Sequence, residues 1–247
     1  MGAMLALFPA LLIALISTVP AYAQSSVEEA RALYASYHED LSRLDRVRDF
    51  LERELKVDPQ VESMIFLSRV YYTWGDVRAK DSDERLSAYE RGREIGKRAV
   101  ELAPRNPEAH LWYAVNTGRF GQTKGVLRSL FLLPTMKEEL TTIFELAPKH
   151  AAAHGLAGNF YAEVPGLLGG DVEKAEEYFK KGLELDPRYT AVRLDYAKFL
   201  IKRGRHDEAR RQLRRVLDEK NPASPADLAV KHAPKARELL DSLKTAR

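Results

Sequence analysis

A short helix ending recurs along this chain at nearly constant spacing. Leu55-Lys56-Val57-Asp58-Pro59 is followed by Val100-Glu101-Leu102-Ala103-Pro104, then by Phe144-Glu145-Leu146-Ala147-Pro148 and Leu183-Glu184-Leu185-Asp186-Pro187. A looser copy closes at Lys220-Asn221-Pro222, so the prolines stand 45, 44, 39 and 35 residues apart. Proline disfavours helix in the residue before it, and each copy therefore ends a helix. A repeat of this length signals stacked helix pairs. One pair cannot bury its apolar stripe alone, whereas neighbours in a stack bury a continuous core. No segment alternates like a strand for long, so the expected fold class is all-α.

The pairs resemble tetratricopeptide repeats, which want small residues where two helices cross, a glycine near the turn and a proline after the second helix. Residues 190–222 fit best, with Ala197 and Ala209 at the crossings, Gly204 at the turn, and Leu213 and Val216 inward. Residues 151–187 offer Gly158, Ala175 and Phe179, residues 106–148 offer Ala114, and residues 62–104 offer Gly92, Gly96 and Ala99. The resemblance implies a right-handed solenoid. Three turns read as lengthened, over Trp74–Leu86, Gly118–Pro134 and Val164–Asp171. Lengthened turns lie on one edge of a solenoid and commonly build a binding rim.

The expected organisation has four parts. Residues 1–23 read as a signal peptide: they carry no charged side chain, Leu5 to Val19 is apolar, and Ala21-Tyr22-Ala23 fits a cleavage site. An uncleaved anchor is the alternative. Residues 24–59 read as one capping helix, opened by the box Ser26-Val27-Glu28-Glu29. Its apolar residues Val27, Ala30, Tyr34, Tyr37, Leu41, Leu44, Val47, Leu51 and Leu55 recur in steps of three and four. Residues 60–222 hold four repeats, and residues 223–247 a C-terminal capping helix. The expected location is periplasmic, with cleavage after Ala23.

Composition excludes some chemistry. There is no cysteine, which removes disulfides, thiolate catalysis, Cys-based zinc sites and a lipoprotein anchor. The net charge of +3 does not demand a nucleic-acid partner. Residues 188–247 nevertheless carry 16 Lys/Arg against 8 Asp/Glu, which suits an acidic partner, a membrane surface or, more often, a solvated, salt-bridged helix face. No nucleophile elbow is present, and no catalytic residue or cofactor is expected. His150 and His154 are four apart but lack the glutamate of a metal-binding helix, so no metal is expected. Gly166, Gly169 and Gly170 lack the Lys-Ser/Thr of a phosphate loop and read as a turn, with Asp171 capping the next helix.

Two stretches narrow the family. Trp112-Tyr113-Ala114-Val115-Asn116-Thr117-Gly118-Arg119, and Pro165-Gly166-Leu167-Leu168-Gly169-Gly170-Asp171 ahead of Ala175 and Phe179, resemble the TatT-type T component associated with periplasmic TRAP transporters. The resemblance covers residues 60–245. It implies a repeat protein that partners a periplasmic solute-binding protein, a cavity through the protomer, and assembly into small oligomers. The absence of a cysteine and the regular last repeat depart from that family. A generic scaffold for envelope proteins is the alternative.

In tetratricopeptide repeats the first helix of each pair lines the groove. The groove positions are then Phe66, Val70 and Trp74; Leu111, Val115, Asn116 and Arg119; Gly155, Asn159 and Glu163; and Leu194, Lys198 and Lys202. These positions describe an apolar groove with a few polar groups, suited to an apolar small molecule or a peptide. A shift of one residue in this register would exchange groove and core.

Overall fold

The computed structural model describes residues 21–245, all of whose regular elements are helical. The apolar stretch before Ala21, on which the signal-peptide reading rests, lies outside the described residues. The described residues form five antiparallel helix pairs and a C-terminal helical segment. The pairs are α1 (Ala21–Ala35) with α2 (Ser42–Val57), α3 (Val61–Val77) with α4 (Ser82–Leu102), and α5 (Pro107–Lys124) with α6 (Val126–Leu146). Next come α7 (Ala151–Glu163) with α8 (Val172–Leu185), and α9 (Thr190–Lys202) with α10 (His206–Asp218). The last segment runs through α11 (Pro225–Asp227), a π-helical turn (Leu228–His232) and α12 (Ala233–Thr245).

The recurring ending does what its proline requires. Asp58, Ala103, Ala147 and Asp186 leave the helix with φ of −137°, −136°, −145° and −139°. Each still donates its N–H to the carbonyl four residues back. The small crossing residues Ala114, Ala175, Ala197 and Ala209 are fully buried. Gly158 lies so close to the Phe179 ring that an added Cβ would stand 2.7 Å from it.

Three expectations are corrected. The N-terminal cap is a helical hairpin, not one helix. Asp40 breaks it by accepting from the Ser42 N–H and hydroxyl at 2.9 and 2.8 Å. The fold-back lets Tyr34 and Tyr37 pack beside Leu44, Val47 and Leu51 in one core. Ser26 is not a cap either, because α1 already runs through it.

The third correction concerns the turns. Trp74–Leu86 and Gly118–Pro134 are mostly helix. Asp81 caps α4 by accepting from the Asp83 and Glu84 N–H groups, and Glu84 reaches back to the Lys80 N–H. The α5–α6 turn is Gly125 alone, at φ 106°. Helix α6 continues through Pro134 because Leu133, Met136, Leu140 and Ile143 keep one face on the core. Only residues 164–171 remain a long turn.

Candidate functional site: the inner face and the segment that spans it

The C-terminal segment contacts the inner, first helices of pairs far apart in sequence. Ala226 and Val230 pack into the core of the N-terminal hairpin with Tyr37, Phe66 and Val70. The Tyr37 hydroxyl donates to Asp227 at 2.9 Å. Lys231 pairs with Asp76 of α3 at 2.6 Å, and their side chains are only 15% and 14% exposed. His232 Nδ1 and the Thr190 hydroxyl of α9 share a hydrogen bond of 2.9 Å. Residues 225–232 therefore bridge the first and last pairs across the inner face.

That face is polar where the segment crosses it. Lys231 sits 4.3 Å from the centre of the Tyr72 ring, and Arg119 lies 5.5 Å from the same ring. Arg69 stacks between Tyr34 and Trp112 at 5.0 and 5.3 Å. Further along, Asn159 and Lys198 each donate to Asp195 at 2.9 Å. Glu163 and Lys202 form an ion pair at the edge.

The electrostatics follow from this packing. Burial alone would raise the Asp76 carboxyl, but Lys231 and Arg119 outweigh it and hold it at about 2. Burial works against the Lys231 ammonium, yet Tyr72, Asp76 and Asp227 keep it well above its ordinary value. For His232 burial wins and pushes the imidazole down to about 4. The bridge is thus an ionised cluster beside a neutral histidine at physiological pH.

The expected groove residues divide. Phe66 and Val70 are buried under α1 and the C-terminal segment, Leu111 against Ile143 and Ala153, and Leu194 in the α8–α10 core. Gly155 is a packing position against Val192. Asn116 is fully buried between α3, α4 and α5, donating to the Ser68 carbonyl at 3.0 Å. Trp74 turns toward α2, where its indole donates to Asp45 at 2.6 Å. Six of these seven are buried and Trp74 is half-buried, because the first helix of each pair turns these positions toward its neighbours. Val115, Arg119, Asn159, Glu163, Lys198 and Lys202 remain partly or fully exposed.

The sequence reading missed Arg69, Tyr72, Asp76, Asp227 and Lys231, because charged and tyrosine side chains at these positions carry no spacing signature. One missed pattern was legible. His110 and His154 each stand six residues after a repeat-ending proline, and their Nε2 atoms bond the Pro104 and Pro148 carbonyls at 2.9 Å. Arg193 does the same to Pro187 at 2.6 Å. His110 also pairs with buried Glu139 at 2.6 Å, whose carboxyl is raised by burial. The Nε2 of His150 faces Glu108 at 2.8 Å. The two histidines weighed as a metal pair thus hold different protein acceptors.

Stacked helix pairs with small crossing residues define a tetratricopeptide-repeat protein, and a tetratricopeptide-repeat family model matches residues 167–231. A thermophilic tetratricopeptide-repeat protein of Thermus thermophilus shares the fold: TM-score 0.63, 24% identity, 91% of this chain and 98% of that one covered. The model of regulator of microtubule dynamics protein 1-3 matches residues 26–168, more than half of the chain, and the chain belongs to that family. It is 28% identical over 171 residues to regulator of microtubule dynamics protein 3 of Bos taurus, covering 63% of this chain and 36% of that one. It is 24% identical over 215 residues to protein 2 of Rattus norvegicus, covering 77% and 52%. The chain thus spans about a third to a half of the length of the curated relatives it matches.

Proposed function

We propose that this chain is a non-catalytic scaffold that binds a partner protein along the free edge of its inner face. The observation that carries this is the bridge made by residues 225–232. It fills one part of the inner face, while Arg119 stays half-exposed and Glu163 and Lys202 stay exposed. The 164–171 turn adds Leu167, which is fully exposed, and α6 adds Phe131 at 78%. Exposed apolar groups beside charged ones suit a protein interface. The relatives' name points to a partner connected with microtubules, and co-sedimentation with polymerised tubulin tests that partner directly.

A second reading keeps the chain in the periplasm beside a transporter's solute-binding protein, holding an apolar solute, with oligomers of the chain. It is favoured by the apolar run Leu5–Val19 and by the exposed Leu167 in the turn on which that resemblance rests. Site-specific photo-crosslinking in the native host tests the common claim. Probes at Glu163 and Lys202 should give discrete protein adducts that a probe at Glu94 of α4 does not. Equal labelling at all three positions rejects the inner edge as the binding surface.

A further inference from the structure

A cavity of about 390 Å³ lies where the ends of α3 and α5 meet the start of α4. Its walls carry two guanidinium groups, Arg85 and Arg119, together with Ser82, Gln122 and Thr123. One carboxylate, Asp76, also faces it, but that carboxylate is already engaged on both oxygens. Tyr89 donates to Oδ1 at 2.6 Å and Lys231 pairs with Oδ2 at 2.6 Å. Lys231 takes the nearer place on Asp76 and Arg119 a looser one, so Arg85 is the cation of this cavity that no carboxylate pairs with among the described residues.

Arg119 is held loosely within the fold and Arg85 more loosely still. Arg119 is 3.8 Å from Asp76, makes one long hydrogen bond of 3.4 Å to the Tyr72 hydroxyl, and is 41% exposed. Arg85 donates only to the Gly75 carbonyl, at 3.4 Å, and no carboxylate pairs with it among the described residues. A guanidinium has five donors in a fixed fork, and the fold uses few of those ten. Asp83 and Glu84, at the start of α4, line a different cavity on the far side of that helix.

We infer that this cavity is a binding site for a small phosphate monoester, held by Arg85 and Arg119. Two guanidiniums lining one cavity complement a dianion better than a monocarboxylate, and arginine forks match phosphate oxygens in bidentate fashion. Ser82, Gln122 and Thr123 supply neutral polar groups for the ester's remaining atoms. The volume lies within the range of small-molecule sites and exceeds what a bare phosphate fills. The site shares Arg119 with the proposed partner edge but not Arg85, so the Arg85 arm of its test is independent of the scaffold reading.

The test is a titration of the full chain with glycerol 3-phosphate, inorganic phosphate and acetate, followed by the arginine Nε–H resonances. Glycerol 3-phosphate should shift two such signals, assigned to Arg85 and Arg119 by their loss in Arg85→Gln and Arg119→Gln. It should bind at least about tenfold more tightly than acetate, with inorganic phosphate in between. Each substitution should weaken it by about tenfold or more. Arg85 lies outside the ion-paired bridge, so Arg85→Gln keeps the test valid even if Arg119→Gln disturbs folding. Either of two results overturns the proposal: no shift of these signals up to about 10 mM ligand, or unchanged affinity in a folded Arg85→Gln protein.

Discussion

His232 shows how one buried side chain sets a pH response. Its imidazole is pushed down to about 4 by burial, against an ordinary value near 6.5. Around it stand Thr190, Asp195 and Lys198 from α9, and Asp227 and Lys231 from its own segment. Folding favours the neutral ring, so its contribution is complete above pH 6.5 and is lost as pH falls from there toward 4. The loss is on the order of 3 kcal/mol at most. Melting curves should fall across that window, and His232→Gln should flatten the slope. Asp76, held at about 2, contributes in a lower window, losing its stabilisation only as pH drops from the ordinary aspartate value toward 2.

Gly96 makes a second residue-scale case. A Cβ there would meet the Tyr113 Cα at 2.9 Å, and backbone cannot rotate away. Gly96→Ala should therefore separate α4 from α5 and cost about 1–3 kcal/mol by denaturant melting. The sequence marked Gly96 as a small position but could not say which backbone it touches.

Helix boundaries divide by whether their signal is local. The proline endings were legible because proline acts on its own neighbour. Asp171 was legible for the same reason, and its carboxylate accepts from the Lys174 N–H at 3.0 Å. Asp171→Ala should lower the melting temperature by about 2–4 °C, read by circular dichroism, with α8 fraying first. Gly170 supports the same turn: a Cβ there would collide with the Val164 carbonyl oxygen at 1.7 Å. The Gly118–Pro134 stretch misled because glycine and proline are turn signals in isolation. Packing of Leu133, Met136 and Leu140 outweighed them and kept α6 helical. The 24–59 segment misled in the opposite sense. Its period is unbroken, and only the gain from folding α1 back onto α3 reveals the break at Asp40.

The whole molecule is fastened by contacts between its ends. Tyr37 and Asp227 are 190 residues apart in sequence, and Lys231 reaches α3 from the last segment. Lys231→Met would leave Asp76 and Asp227 beside each other with less compensation, which should cost on the order of 3 kcal/mol. Hydrogen exchange should then quicken in both α1 and α11, though neither is altered. The double variant Lys231→Met with Asp76→Asn should recover part of the loss. Exchange confined to α11 would show that the ends are not coupled.

The sequence by itself determined that this chain is a stack of helix pairs, where most second helices stop, and which small residues let them cross. Those properties depend on proline, glycine and apolar period, which act over a few residues. The tertiary structure alone decided which side chains face inward and what covers them. The first helix of a pair has neighbours on more than one side, so a rotation of one position exchanges Leu111 for Trp112, and the period is the same either way. The C-terminal bridge was equally invisible, because its attraction comes from charges far apart in sequence that only the stacked pairs bring together.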